Sequence, residues 1–354
     1  MKKIGTFRLA LAFGGCFLGA GYVSGQEMWQ FFGQYGKIGI LGLLLAIVLL
    51  CIVGAVTLML TRLLGRTETD ILIIGNDYPA LRWTVFGLEA AFLFCVCIIM
   101  AAGVGALCDE VFGIPVWLGC LTFTVIVTVI SLFGFSGMVT AFSAIVPVLV
   151  VAAVAFGVRV LLRGELSPEI THEISTTNPL LRFWPLAAFL FMCYNVFGSI
   201  AILAPLGPFI RDDRTVTRGM IGGGILLLLV GLSVMICVNA AGTQDTELPM
   251  LTMALEISKP VGWIYGLLLL IAMFGTCLSC LVAFVRTICD NFHFAAKHSR
   301  AVYFICAVVI FFGSLFGFGD LIGVVYPLFG YCSSVFIVLL VIHYCRVKRK
   351  KPAT

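Results

Sequence analysis

The residues with the most chemistry lie where an apolar chain would least need them. The stretch FGGCFLGAGYVSGQEMWQFFG, from Phe13 to Gly33, belongs to a segment hydrophobic enough to cross a membrane. Yet it carries Gly14, Gly15, Gly19, Gly21 and Gly25, then Ser24, Gln26 and Glu27. Glycine costs close to 1 kcal/mol relative to alanine in a helix, so this cluster lowers the cost of unwinding. Unwinding frees backbone N–H and C=O groups, which cannot stay unpaired in hydrocarbon. A bound solute or ion can satisfy them: the start of a half-helix attracts a carboxylate, and loose carbonyls attract a cation. Glu27 adds a charge suited to binding an amine, closing an outer gate or carrying a proton; capping the outer half-helix is the plainer role. A second constellation, Tyr194-Asn195-Val196-Phe197-Gly198-Ser199 with Pro205 and Pro208 beyond it, falls in a later apolar stretch. Matched helix breaks in two halves of a chain point to the binding site of a secondary transporter. The expected solute contacts are Ala20, Gly21, Tyr22, Ser24, Gly25 and Glu27 with Tyr194, Asn195, Gly198 and Ser199. The competing view is close helix packing, since Gly15 and Gly19, like Gly21 and Gly25, are four apart.

Other candidates are fewer. Glu89 is a second carboxylate within a span, where a cavity, a partner or a proton path is its usual reason; Arg286 is the inner cation it could pair with. Cys277 and Cys280 form a CxxC, but nearly all of the fourteen cysteines lie in apolar stretches, where a thiol acts as a small hydrophobe. No HExxH, P-loop or GxSxG occurs, so neither an enzyme nor a nucleotide-driven pump is expected.

The elements that must hold these residues follow from composition. Of 354 residues 61% are hydrophobic and 11% charged, and the mean hydropathy is +1.14. Runs of roughly 20 apolar residues, each able to cross a ~30 Å core, recur throughout. The sequence predicts an all-α polytopic membrane protein with ten spans, near 6–32, 38–64, 81–107, 114–133, 138–162, 183–210, 216–240, 260–289, 300–316 and 321–344. An uncharged turn, Gly134-Phe135-Ser136-Gly137, separates the fourth and fifth. With the N-terminus inside, only Lys37, Arg159, Arg163, Arg182 and Lys259 of the 22 basic residues fall outside, so both termini are expected in the cytoplasm. The basic tail anchors this topology rather than binding nucleic acid. Ten spans divide as five plus five, an odd number, so equivalent halves must be inverted. The expected units are 1–163, an external connector 164–181, a second repeat 182–345 and a cytoplasmic tail 346–354. Gln244–Ile257 reads as an outer helix with an Asp or Thr cap and Pro249 in its first turn, expected as a lid.

GAGYVSGQEMWQFFGQYG and the Tyr-Asn of the sixth span resemble the YkvI-like bacterial membrane proteins, a group similar to the amino acid–polyamine–organocation superfamily. The resemblance covers essentially the whole chain. It implies the LeuT-type fold, with helices 1 and 6 broken near mid-membrane. It further implies an ion-coupled secondary transporter of a small amino-acid-like or amine solute in the bacterial cytoplasmic membrane, working by alternating access. Sodium or a proton is the implied coupling ion, with no other cofactor; the solute and the bilayer are the implied partners. A sodium ion would lie between carbonyls of Gly15, Leu18 and Gly19 and the hydroxyls of Thr276 and Ser279. Sodium users often carry two adjacent hydroxyl residues here, whereas this chain has Ser279-Cys280; the alternative is that both hydroxyls bond their own helix. Arg8 and Asp290 correspond to an inner-gate ion pair. A second reading shares the pocket: a ligand-sensing subunit without transport, similar to one in spore germinant receptors.

Overall fold

In the computed structural model, residues 3–75, 79–133, 145–164, 178–240 and 246–350 are described, and nearly all are helical. The expected turn at Gly134–Gly137 and most of the connector 164–181 lie outside them. The first apolar segment is three helices: α1 (Thr6–Phe17), α2 (Ala20–Ser24) and α3 (Gln26–Phe31). They lead through a 3-10 turn, Gly33–Tyr35, into α4 (Lys37–Leu64) and a short α5 (Thr69–Ile74). Then come α6 (Pro79–Phe112), α7 (Val116–Leu132) and α8 (Ile145–Arg163). The remainder is α9 (Trp184–Leu203), α10 (Asp213–Val238), α11 (Pro249–Ile257), α12 (Lys259–Asn291), α13 (His293–Lys297), α14 (Ser299–Ser314) and α15 (Phe318–Lys350).

Six of these are long and apolar enough to cross a bilayer: those in α4, α6, α9 with the turn after it, α10, α12 and α15. Three apolar helices are shorter, α1, α7 and α14, the first because its segment is broken. Large apolar side chains stand on the outer faces, among them Leu41 and Ile52 on α4, Val125 on α7, Ile225 on α10 and Phe304 on α14. Apolar surface on that scale belongs against lipid rather than water. Inside, backbones approach closely at small residues: a Cβ on Gly219 would meet Leu9 at 2.6 Å, and one on Gly223 would meet Phe13 at 2.7 Å. This is how α1 lies along α10. Asp212 starts α10 by accepting from the Thr215 N–H at 2.7 Å, and the hydrogen bonds from Thr215 hold its carboxyl below the usual aspartate range.

The sixth span departs from expectation. Helix α9 runs unbroken through Tyr194–Ser199. Asn195 Nδ2 donates to the Phe191 carbonyl at 3.0 Å, and Ser199 Oγ donates to Val196 at 3.0 Å, so these polar residues serve their own helix. Gly198 is small for packing, since a Cβ there would lie 2.6 Å from the Phe92 ring. The helix tightens to 3-10 only at Ala204–Phe209, where Pro205 and Pro208 remove N–H donors.

Candidate functional site

The break in the first segment has two joints. At the first, Gly19 N donates to the Phe17 carbonyl at 2.8 Å, while Gly19 itself is extended (φ −81°, ψ 178°). Among the described residues, no donor then reaches the carbonyls of Gly15, Cys16 or Leu18, nor does any acceptor meet the N–H of Ala20 or Gly21. The second joint is Gly25, at φ +92°, a left-handed conformation that favours glycine. Packing does not explain Gly15 and Gly19, because a Cβ on either would meet nothing within 4 Å. The break is propped from the side by tyrosines. Tyr265 of α12 donates to the Val23 carbonyl at 2.6 Å, and Tyr22 donates to Leu227 of α10 at 2.8 Å. Tyr22 is fully buried there, in room left by Gly231. Ser24 turns inward on itself, donating to the Gly21 carbonyl at 2.8 Å.

Glu27 lies on the first turn of α3, 5% exposed, and accepts a hydrogen bond from the Tyr194 hydroxyl. Its other oxygen faces Gly21, where a Cβ would come within 2.9 Å of it. Asn195 lies beside the same carboxylate. The Tyr194 ring stacks on Tyr326 of α15, centroids 4.8 Å apart and 18° from parallel. Phe31 and Phe191 close the other side of Tyr194 at 5.5 and 5.6 Å. Among the described residues no Lys, Arg or His pairs with Glu27. The structure thus brings Gly21, Glu27, Tyr194 and Asn195 together. It leaves Gly198 against Phe92 and Ser199 on its own helix. Tyr326 and Tyr265 were missed by sequence reasoning; for Tyr265 the available signal was that a buried tyrosine needs a partner for its hydroxyl.

The other expected constellations are looser. Thr276 Oγ1 donates to Ala272 at 2.9 Å and Ser279 Oγ to Gly275 at 2.7 Å, so both hydroxyls give their protons to their own helix. The expected pair of Arg8 with Asp290 is not formed in this structure. Asp290 faces Arg286 one turn earlier, Nε to Oδ2 3.7 Å, and exposed Arg8 is not its partner. Glu89 likewise does not pair with Arg286. It lines a cleft of about 470 Å³ with Asp70, Arg82, Trp83 and Asn291, in which Arg82 bonds Asp70 at 2.5 Å. Asp290 has thus taken a partner on its own helix, and Arg82 bonds Asp70 rather than Glu89.

The end of the segment beyond Gly25 is tied to α15. Glu247 accepts from the Gly319 N–H at 2.5 Å at the start of α15, and Gln26 presses on the same glycine, which has no room for a Cβ. Helix α11 forms as expected over Pro249–Ile257 and leans on α12, α10 and α2. Its cap position is Leu248, not an Asp or Thr. Glu110 of α6 accepts from Thr252 of this helix at 2.5 Å. The cysteines described are all free, and no metal-ligating cluster of His, Cys, Asp and Glu occurs among the described residues.

No family model matches the chain. Two proteins of Bacillus subtilis (strain 168) are similar along nearly all of it. One is the uncharacterized membrane protein YkvI, 24% identical over 340 residues and 95% of each chain. The other is the uncharacterized protein YyaD, 23% identical over 340 residues, 93% of this chain and 94% of its own. Among solved structures, the inward-facing conformation of Mhp1 superposes with a TM-score of 0.66 at 16% identity, covering 99% of this chain and 79% of that one. MhsT in complex with L-phenylalanine gives 0.60 at 15% identity over 95% and 87%. A manganese transporter of Eremococcus coleocola gives 0.57 at 14% identity over 94% and 78%. The chain therefore has the LeuT-type fold of these transporters, and its sequence relatives include a membrane protein.

Proposed function

We propose that the chain is an ion-coupled secondary transporter of a small solute, working by alternating access around the break in its first segment. One observation carries the reading. A fold shared with transporters holds a buried carboxylate, Glu27, beside a helix interruption at which the Gly15, Cys16 and Leu18 carbonyls and the Ala20 and Gly21 N–H groups are unpaired, with no cation to balance it among the described residues. Such a carboxylate suits a transported amine or a coupling proton. The unpaired carbonyls of Gly15 and Leu18 suit a cation, which keeps sodium as the competing coupling ion. Ten spans in two inverted five-helix repeats, with both termini cytoplasmic, fit the charge distribution and the fold. The cleft at Glu89 together with the Glu247–Gly319–Gln26 contact describes a state open on the side of α5 and tied on the other. Separated Arg8 and Asp290 agree with that state.

The test is uptake of amino acids and organic amines into proteoliposomes under an imposed sodium or proton gradient. Gradient-driven uptake by the wild type, reduced tenfold or more in Glu27→Gln, is expected. A ligand that raises thermal stability without flux under either gradient overturns transport and leaves a sensor.

A further inference from the structure

The molecule has a second built hollow, on its lipid-facing side between α4 and α10. We propose that it is a site for an anionic phospholipid, with one acyl chain in the hollow and the phosphate on Arg214 and Arg218. The hollow measures about 440 Å³ and is almost wholly apolar, within the roughly 300–1,000 Å³ of ligand pockets. Its walls are the exposed side chains of Val48 and Ile52 on α4 and Ile221 and Ile225 on α10. Its floor exists because Gly224 meets Cys51 without a side chain of its own; a Cβ there would lie 2.4 Å from the Cys51 sulfur. A smooth helix pair offers lipid a ridge, whereas this pair offers a slot.

The slot is polar at one end only. Thr217 closes the lining at the start of α10, and Arg214 is three residues before it. That spacing puts Arg214 on the same face of the helix, one turn beyond the slot. Arg218, three residues before Ile221, flanks it. Arg62 ends the matching stripe on α4, but it is engaged by Asp213 and by the Arg211 carbonyl. Arg214 and Arg218 are exposed and have no acidic partner among the described residues. Two unengaged guanidinium groups at the end of an apolar slot match a phosphate above a hydrocarbon tail, and guanidinium holds phosphate through paired hydrogen bonds. A zwitterionic lipid would fill the slot but return no net charge to the arginines. The inference rests on the chain being a membrane protein and does not depend on transport.

The test uses the purified full chain in neutral detergent, with phosphatidylglycerol or phosphatidylcholine of identical acyl chains added. Thermal unfolding and native mass spectrometry are the readouts. Phosphatidylglycerol is expected to raise the midpoint more than phosphatidylcholine and to remain bound as one retained lipid. R214A/R218A should abolish the difference between the two lipids, and Val48→Trp, at an exposed position, should abolish retention. Glycerol phosphate without acyl chains should give no shift. Equal shifts by both lipids, an undiminished preference in R214A/R218A, or retention in Val48→Trp overturns the proposal. So does a dimer that V48W disrupts, since the slot would then be filled by a second copy.

Discussion

Replacing single glycines in the first segment separates conformation from packing as the reason for them. At Gly25 the backbone has φ +92°, which costs an L-residue roughly 1–2 kcal/mol. An alanine Cβ would also lie 3.0 Å from Met250 Cγ, 3.0 Å from Val238 Cγ2 and 3.3 Å from Pro249 Cβ. Methionine can yield; a β-branched valine and a proline in the first turn of α11 yield less, and overpacking of this kind typically adds about 1–3 kcal/mol. Gly25→Ala is therefore expected to destabilise by roughly 2–5 kcal/mol. Gly15, in the last turn of α1, meets nothing within 4 Å. Gly15→Ala should be neutral or stabilise by up to about 1 kcal/mol. Both are read by reversible unfolding in mixed detergent–dodecyl sulfate micelles, where the two variants should move the midpoint in opposite directions or differ by several kcal/mol. If Gly25→Ala matches the wild type within about 0.5 kcal/mol, or Gly15→Ala costs as much as Gly25→Ala, the reasoning fails. The second outcome would mean that α1 uses Gly15 for close approach after all.

Two further changes probe the supports. Tyr265→Phe removes the only side chain described on the Val23 carbonyl and should cost about 1–3 kcal/mol, the usual penalty for a stranded buried polar group; the same micelle assay reads it, and no change would mean that the carbonyl finds another donor. Asp212 has a depressed carboxyl, so its cap strengthens the fold at pH values above the ordinary aspartate range and weakens as pH falls through its own lower value. Asp212→Ala should thus lower the melting midpoint at pH 7 and narrow the gap to wild type on acidification toward pH 3; a gap independent of pH would remove the carboxylate from the account.

The amphipathic logic of lipid made much of the fold legible: apolar runs had to be helices, and glycine clustered with Ser24, Gln26 and Glu27 had to be a weak point. The first break was therefore visible before any coordinate. The expectation of a second at Tyr194–Ser199 failed because Asn and Ser carry their own remedy. Each can bond a carbonyl three or four residues back, so polarity in a span need not mean an open helix. The prolines after it were the more reliable sign, and the helix does tighten there. The meeting of Glu27 with Tyr194 was within reach, since both were singled out. The stacking of Tyr326 on Tyr194 was not, because 132 positions of chain separate them and nothing in local pattern encodes that approach. The charge pairs were hardest: long side chains at helix ends choose among several partners at small differences in energy, as Asp290 did in facing Arg286.

The middle piece of the first segment answers to different neighbours from the pieces on either side. Helix α1 lies on α10, α2 is held among α8, α11 and α12, and α3 is held by α15, α10 and α9. Between α1 and α2 the chain crosses Leu18 and Gly19 with no hydrogen bond of the regular helical ladder spanning them. Turning α1, with the α10 it packs on, about that point breaks no bond of the helical ladder, so the joint itself is a swivel rather than a melting helix. The amides of Ala20 and Gly21, which have no acceptor among the described residues, should then exchange with solvent whenever water reaches them, long before the helices on either side have opened.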